Sequence, residues 1–315
     1  MKISNKDIRD AFFDRLYDIA GEDKNVIFLT ADMGAFSLVK FKKDLPKQFI
    51  NVGVAEQNMV SIAAGLTLTG KKVFIYTIIP FATLRCYEQI KIDICAMNLG
   101  VTIVGIGAGL SYGSDGPTHH GTSDIAVMRT LPEITILNPS DSVAAEKCAE
   151  IAYKSNAPVY IRLDRGKLPL IYEQNKSDFS DGISEVKEGD DLTIISSGVM
   201  VQQAVKAAEK LRNNSITAQV LDIYRIKPFN TELLLKFIEK SKLVVTLEEN
   251  MISGGIGTVV SEVLAENKNS ISLKRIAIPD KHCFDTGSRE YMHSLYGLDV
   301  DSIVKTILTS LLHNT

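Results

Sequence analysis

The sequence predicts an α/β protein with two doubly wound domains, and three observations support this fold class. Short apolar runs alternate with longer helical patterns up to Tyr172, as in a parallel sheet covered by helices. A polar stretch at 173–186 interrupts the alternation, and a second, shorter series follows it. A chain of 315 residues is also too long for one small core. We therefore expect domains at 1–172 and 187–315, joined by a linker at 173–186.

The first domain is expected to hold a parallel sheet. Six runs have the composition of strands: "NVIFLT", "FINVG", "KKVFIYT", "VTIVGIG", "ITILNP" and "PVYIRL". Helical patterns lie between them and begin near Asn5, Glu56, Phe81, Ser123 and Asp141. The last pattern opens with "PSD", a helix start signal.

The second domain repeats the alternation on a smaller scale. Its strand candidates are "LTIISSG", "AQVLDIY", "KLVVTLEEN" and "SLKRIAI". Helices are expected through "VQQAVKAAEKLRNN", from Thr231, after "SGGIGT" and from Val300. The polar linker is expected to lead into a hairpin at the edge of the second sheet.

Composition excludes several classes of protein. With 45% hydrophobic and 23% charged residues, the chain has the balance of a folded globular protein. A net charge of −3 gives no electrostatic reason to expect nucleic acid or an anionic membrane as partner. No segment resembles a signal peptide or a membrane span, which predicts a cytoplasmic protein. The four cysteines have no CxxC spacing, so buried free thiols are expected.

Glu56 stands out within "NVGVAEQNMVSIAAGLTLTG". It follows a predicted strand and enters the first turn of a helix, where the helix dipole favours a carboxylate. A simple helix-start charge is therefore one explanation. The helix is apolar on nearly every face, however, which predicts that it is buried, and buried carboxylates are rare unless paired or functional.

A glycine-rich stretch, "GLSYGSDGPTHHGTSD", follows the strand "VTIVGIG". It places Asp115, His119 and His120 at the carboxyl end of a parallel strand, where ligands bind in open α/β sheets. Adjacent histidines point in different directions in most backbone geometries, which favours two roles over one metal site. A third ligand at suitable spacing is not evident, so no metal site is predicted in this chain.

Two further stretches combine strand ends with chemically useful side chains. In "YTIIPFATLRCYEQ", Phe81 could offer an aromatic face to a ligand ring or be an ordinary core residue. In "YIRLDRG", Arg162 and Arg165 flank Asp164, and guanidinium groups suit bidentate binding of phosphate or carboxylate. An internal ion pair with Asp164 is the competing explanation for one of these arginines.

Together these stretches carry a family resemblance. The segments "GVAEQNM", "PFATLRCYEQ", "SDGPTHHG", "NPSD" and "RLDRG" resemble the C-terminal half of transketolase and of deoxyxylulose-phosphate synthase. In the second domain, "EENMISGGIG" and "GSREYMHSLYGLD" resemble the C-terminal domain of the same enzymes. The resemblance covers nearly the whole chain. It implies a pyrimidine-binding domain with a parallel sheet, followed by a smaller transketolase C-terminal-like domain.

The resemblance implies roles for particular residues. Members of the family use thiamine diphosphate, and a glutamate hydrogen-bonded to the aminopyrimidine ring drives its imino tautomer; Glu56 matches that glutamate. A dry, apolar setting would raise the pKa of such a carboxyl and suit it to share a proton. The other matched positions divide into cofactor-binding residues (Phe81, Asp32 and Arg85), substrate contacts (Asp115, His119 and His120) and phosphate-binding arginines (Arg165 and Arg162). Glu56 and His119 are the expected catalytic residues, since positioned hydrogen bonds stabilise a developing alkoxide.

Departures from the family pattern are equally informative. Full-length transketolase has an N-terminal domain whose Gly-Asp-Gly motif binds the diphosphate through a divalent metal such as Mg, and no such motif occurs here. The resemblance therefore implies an N-terminal diphosphate-binding partner subunit, an active site between chains and a heterotetramer. Transketolases of the pentose phosphate pathway also carry a further phosphate-binding histidine where this chain reads "GIGAGLSYG".

The leading hypothesis is the C-terminal subunit of a two-chain transketolase-like enzyme that transfers a two-carbon ketol unit between sugar phosphates. Two enzymatic alternatives share the chemistry of Glu56: a deoxyxylulose-phosphate synthase-like enzyme and the β subunit of a 2-oxo acid dehydrogenase. A non-catalytic scaffold subunit is the alternative from another class. The sequence does not identify the donor and acceptor sugars.

Overall fold

The computed structural model describes residues 2–174 and 177–313 and contains two sheets. The strands of the first part of the chain are β1 (Val26–Thr30), β2 (Phe49–Asn51), β3 (Lys72–Ile78), β4 (Val101–Ile106), β5 (Thr135–Leu137) and β6 (Val159–Leu163). Those of the second part are β7 (Ser184–Lys187), β8 (Leu192–Ser196), β9 (Ala218–Asp222), β10 (Arg225–Lys227), β11 (Leu243–Met251) and β12 (Ser272–Ile278). Every strand predicted from the sequence is present, which confirms the α/β fold class.

Helices cover the sheets. In the first part of the chain they are α1 (Ile8–Glu22), α2 (Leu38–Asp44), α3 (Glu56–Leu68), α4 (Ile79–Ala82), α5 (Tyr87–Gln89), α6 (Asp124–Arg129) and α7 (Ser142–Lys154), and a π-helix spans Ile90–Cys95. In the second part they are α8 (Met200–Leu211), α9 (Thr231–Ile238), α10 (Ile256–Glu266), α11 (Arg289–Tyr296) and α12 (Val300–His313), and a 3₁₀ turn spans Arg212–Asn214. None of these helices, within the described ranges, is long and apolar enough to cross a membrane.

The first sheet has the order β10-β5-β6-β4-β3-β1-β2, and all its strands are parallel except β10. One face is covered by α1, α2 and α7, and the other by α3, α6 and the π-helix. Because the strands are parallel, the segments that follow β1, β2, β3, β4 and β6 meet at one edge of the sheet. This edge carries the candidate site.

The second sheet has the order β12-β11-β8-β9-β7, with β7 antiparallel at its edge. The expected edge hairpin is wrong, because β7 pairs with β9 and not with β8, which follows it in the chain. β7 also begins at Ser184, inside the predicted linker. The C-terminal end of the predicted linker, from Ser184 onward, is therefore part of the second sheet.

The two parts of the chain are joined by shared structure. β10 pairs with β5 through Arg225 and Leu137, so a segment of the predicted second domain completes the first sheet. One apolar core cluster contains residues of both parts, for example Ile136 and Ile226. All four cysteines, Cys86, Cys95, Cys148 and Cys283, are buried and free, which confirms the sequence expectation.

Candidate functional site

Glu56 is the first residue of α3 and lies at the edge where the parallel strands end. Only 4% of the residue is exposed, and its Oε2 atom accepts a hydrogen bond from Nη1 of Arg85 at 2.8 Å. The expectation of a fully buried, apolar helix is wrong. Gln57, Asn58 and Ser61 are exposed, and the carboxylate has a cationic partner. Glu56 thus combines burial with one directed hydrogen bond.

Phe81 and Arg85 complete the surroundings of this carboxylate. Pro80 lies in the short helix α4 directly after β3, and Phe81 follows it with a half-buried ring. The guanidinium carbon of Arg85 lies 4.2 Å from the ring centroid of Phe81. Arg85 thus places a flat nitrogen donor over an aromatic face while donating to Glu56. An aminopyrimidine is also a flat group with nitrogen donors, so Glu56 and Phe81 have the chemistry required to hold one.

His119 lies beside Phe81 at the same edge. The two ring centroids are 5.3 Å apart in an edge-to-face arrangement, and Nδ1 of His119 is 2.9 Å from the hydroxyl of Thr118. That contact leaves Nε2 of His119 for a ligand. Asp115 is exposed in the same loop, where its backbone N–H donates to the carbonyl of Tyr112. The structure therefore places His119 beside Phe81, with Asp115 exposed in the same loop.

His120 is separated from this group. It is 6% exposed, and its buried ring nitrogens have no hydrogen bond of ordinary geometry among the described residues. Burial lowers the pKa of His120 and favours the neutral ring, and the backbone of Gly113 opposes this effect only in part. The predicted difference in direction between the two histidines is present. The predicted substrate contact by His120 is not supported, because its side chain is enclosed by protein.

The two arginines near the end of β6 also differ. Arg162 is 4% exposed; its Nε donates to Oδ2 of Asp124 at 2.9 Å, and its Nη2 donates to the carbonyls of Gly121 and Glu249. The expectation that Arg162 binds substrate is therefore wrong, since internal partners use its guanidinium. The internal ion pair predicted as the alternative exists, but its partner is Asp124 and not Asp164. Arg165 is exposed at the edge of the sheet.

Asp32 lies further along the same edge, after β1. It adopts a left-handed conformation with φ of 53°, and its Oδ1 accepts a hydrogen bond from Nδ2 of Asn51 at 3.1 Å. Asn51 Oδ1 in turn accepts from the backbone N–H groups of Asp32 and Gly53. Asp32 is thus exposed in the segment after β1 and is held by Asn51, the last residue of β2, which precedes α3.

Sequence reasoning missed a buried charge network behind this edge. Arg289 donates through Nε to Oε1 of Glu249 at 2.9 Å and through Nη1 to Oδ1 of Asp164 at 2.9 Å. Nε2 of His293 is 2.5 Å from the same Glu249 oxygen. Burial alone would raise the pKa of Glu249, but the guanidinium of Arg289 outweighs it and holds that pKa well below its usual range. This network joins the second sheet to the segment that carries Arg165.

The sequence contains the charged residues of this network, but their local patterns do not indicate that they are buried together. "EEN" lies near the end of β11 and "SRE" spans the start of α11, and both are charged segments that usually indicate solvated surface. Only the fold brings residues 164, 249 and 289 together.

The fold and the edge residues define a class of protein: a two-sheet α/β chain with a buried helix-start glutamate and an aromatic ring at the edge where its parallel strands end. Residues 4–170 match the family described as transketolase, pyrimidine binding domain, and residues 182–303 match the transketolase C-terminal domain. The chain therefore belongs to the transketolase family, whose members are transferases that depend on thiamine diphosphate.

Three relatives place the chain within this family. A subunit of the apulose-4-phosphate transketolase of Phocaeicola vulgatus is 38% identical over 302 residues, which cover 95% of this chain and 96% of the relative. A solved structure titled split gene transketolase, inactive beta4 tetramer, superposes with a TM-score of 0.87 at 32% identity, covering 99% of this chain and 100% of the other. The 1-deoxy-D-xylulose-5-phosphate synthase of Caldanaerobacter subterraneus is 35% identical over 301 residues, covering 95% of this chain but 48% of the synthase.

Proposed function

We propose that this chain is the C-terminal subunit of a two-chain transketolase that transfers a two-carbon ketol unit between sugar phosphates. The observation that carries the proposal is the arrangement around Glu56. The buried carboxylate at the start of α3 accepts a hydrogen bond from Arg85, whose guanidinium lies over the ring of Phe81. His119 packs against the same ring. The relative from Phocaeicola vulgatus, itself named as one subunit of a transketolase, has nearly the same length as this chain, which supports a split enzyme.

Each residue at the edge has a task in this reaction. Glu56 holds a proton at the ring nitrogen of the aminopyrimidine, and Phe81 supports the face of that ring. His119 and Asp115 direct hydrogen bonds at the oxygens of the ketose, which stabilise negative charge as it develops. Arg165 presents a guanidinium to the phosphate end of the sugar. Thiamine diphosphate, when bound, supplies a nucleophilic carbon that allows carbon–carbon bonds beside a carbonyl to break and form.

The partner is an N-terminal transketolase subunit that binds the diphosphate through Mg²⁺, in an assembly with two copies of each chain. Apolar side chains exposed along α3 and the neighbouring helical segments support a large interface here: Val54, Leu68, Leu84, Ile92 and Met97. Val54, which precedes the N-cap residue of α3, is 74% exposed. Burying these apolar side chains against a second chain is favourable, because it removes their surface from water.

A synthase-like enzyme is the second candidate. The relative from Caldanaerobacter subterraneus favours it, since its name assigns it the synthesis of deoxyxylulose phosphate. Both enzymes would use Glu56 in the same way, so the residues around the aminopyrimidine do not separate them. The substrates separate them, because the synthase decarboxylates a 2-oxo acid and transketolase cleaves a ketose.

A transfer assay on the reconstituted two-chain complex tests the proposal. With a ketose phosphate as donor and an aldose phosphate as acceptor, we expect a product two carbons longer than the acceptor, detected by mass spectrometry, because Arg165, Asp115 and His119 suit a phosphorylated polyol. Each chain alone should give no product. Release of carbon dioxide from pyruvate without ketol transfer would support the synthase or dehydrogenase alternatives instead. Inactivity with every donor would favour a scaffold subunit.

A further inference from the structure

The loop after β4 contains an aromatic residue that the proposed mechanism does not use, Tyr112. One edge of its ring lies against Gly107, which follows β4 and has φ of +93°. A Cβ atom at Gly107 would lie 2.3 Å from Cδ2 and Cε2 of Tyr112, closer than real atoms approach. Glycine at this position therefore allows the edge of the ring to approach the backbone closely, in the segment "GIGAGLSYG" that lacks the additional histidine.

One face of the Tyr112 ring holds Arg165. The guanidinium carbon of Arg165 lies 4.1 Å from the centroid of that ring, and its Nη2 atom donates to the carbonyl of Ser111 at 3.0 Å. A cation held over an aromatic face is attracted by the ring, and this contact together with the hydrogen bond to Ser111 restricts the position of the guanidinium. The ring and the Ser111 carbonyl together leave Nε and Nη1 without hydrogen bonds to residues 2–174 and 177–313.

The donors left on Arg165 include a pair of the kind that a phosphate requires. Nη2 has two hydrogens and donates one to Ser111, so the other lies beside the N–H of either Nε or Nη1. Two neighbouring N–H groups of a guanidinium can bind two phosphate oxygens, and this bidentate contact depends on orientation as well as charge. Tyr112 also lies near the proposed catalytic residue His119, with ring centroids 6.1 Å apart. The Tyr112 ring thus contacts both Arg165, the proposed phosphate-binding residue, and His119, which is proposed to bind the sugar oxygens.

We infer that Tyr112 determines the specificity of the enzyme for phosphorylated substrates by orienting Arg165. The inference rests on the proposed function. Tyr112 acts as a positioning residue: its ring, supported by Gly107, fixes the plane of the Arg165 guanidinium so that a phosphate at the end of the sugar meets a preorganised pair of donors. The phenolic hydroxyl has no part in this role, since the contact is made by the face of the ring.

The test compares two variants, Tyr112→Leu and Tyr112→Phe, in the reconstituted complex. Tyr112→Leu removes the aromatic face, and we expect KM for a ketose phosphate to rise about tenfold, as the loss of a cation–π contact predicts. kcat, and KM for the unphosphorylated donor L-erythrulose, should stay within about twofold. Tyr112→Phe keeps the ring and should leave KM for both donors near wild type. Equal changes for both donors, or no change in Tyr112→Leu, would overturn the inference.

Two further measurements keep the inference testable if Tyr112→Leu folds poorly or the complex lacks transfer activity. Arg165→Lys keeps the charge without the planar fork, so it should show the same selective rise in KM. Phosphorus NMR titration with inorganic phosphate measures binding without turnover. Weaker phosphate binding in Tyr112→Leu than in Tyr112→Phe would support the inference even if the proposed reaction were wrong. Equal phosphate binding in the two variants would contradict it whatever the reaction.

Discussion

Replacing Glu56 by glutamine should reduce turnover by about 100-fold or more while the protein stays folded. The loss of a positioned proton-transfer group costs about 10²–10⁴ in rate. Glutamine has nearly the same shape as glutamate and can still accept a hydrogen bond from Arg85, but its amide cannot share a proton with a ring nitrogen. The measurement is kcat for ketol transfer by the reconstituted complex, with circular dichroism as the check on folding.

Glu88→Gln is the matched control for this variant. Glu88 lies on the neighbouring short helix α5, is exposed, and undergoes the same change of charge. It should keep wild-type turnover, because within residues 2–174 and 177–313 no hydrogen bond or ion pair joins it to Glu56, Phe81 or Arg85. Activity of Glu56→Gln within about threefold of the wild type would remove Glu56 from its proposed role.

Replacing Arg289 by alanine should have the largest effect on stability. The substitution leaves the carboxylates of Asp164 and Glu249 buried without their cation, and removal of one partner from a buried ion pair costs about 3–5 kcal/mol. We expect a loss of this size in the free energy of unfolding at pH 7, measured by urea denaturation. Since the two contacts come from different parts of the chain, segments of both sheets should lose protection in hydrogen exchange.

The pH dependence of this loss follows from the pKa of Glu249. Arg289 holds that pKa below its unfolded value, so the stabilisation is present above the unfolded pKa of about 4 and disappears as the pH falls through the lower folded value. The difference between Arg289→Ala and wild type should therefore shrink in strong acid. Arg212→Ala, at an exposed position, is the control and should change stability by less than about 0.5 kcal/mol. A similarly small loss for Arg289→Ala would contradict the buried network.

Local patterns in the sequence predicted most of the fold. Buried parallel strands are continuous apolar runs bounded by turn residues, so "VTIVGIG" and "PVYIRL" indicated β4 and β6 directly. β10 was missed because three residues, Arg225–Lys227, carry no periodic signal and pair with the distant strand β5. Strands of this kind are defined by their partner and not by their own composition.

The location of the candidate site could be predicted from the sequence, because its residues come directly after predicted strands. Glu56, Phe81, His119 and Arg165 come after β2, β3, β4 and β6, whose carboxyl ends share one edge. Burial was harder to predict. Arg162 and Arg165 are three residues apart in "RLDR", yet the first points into the protein and the second lies at its surface, because side chains alternate along a strand and the strand ends between them.

Titration of thiamine diphosphate into the two chains, separately and together, tests the central claim most directly. The claim is that this chain supplies the aminopyrimidine half of a shared site and needs an N-terminal subunit, recognisable by a Gly-Asp-Gly motif, for the diphosphate half. Isothermal calorimetry should show tight binding only for the equimolar mixture with Mg²⁺ present, and the binding should be lost with a chelator. Tight, metal-dependent binding by this chain alone would contradict the claim.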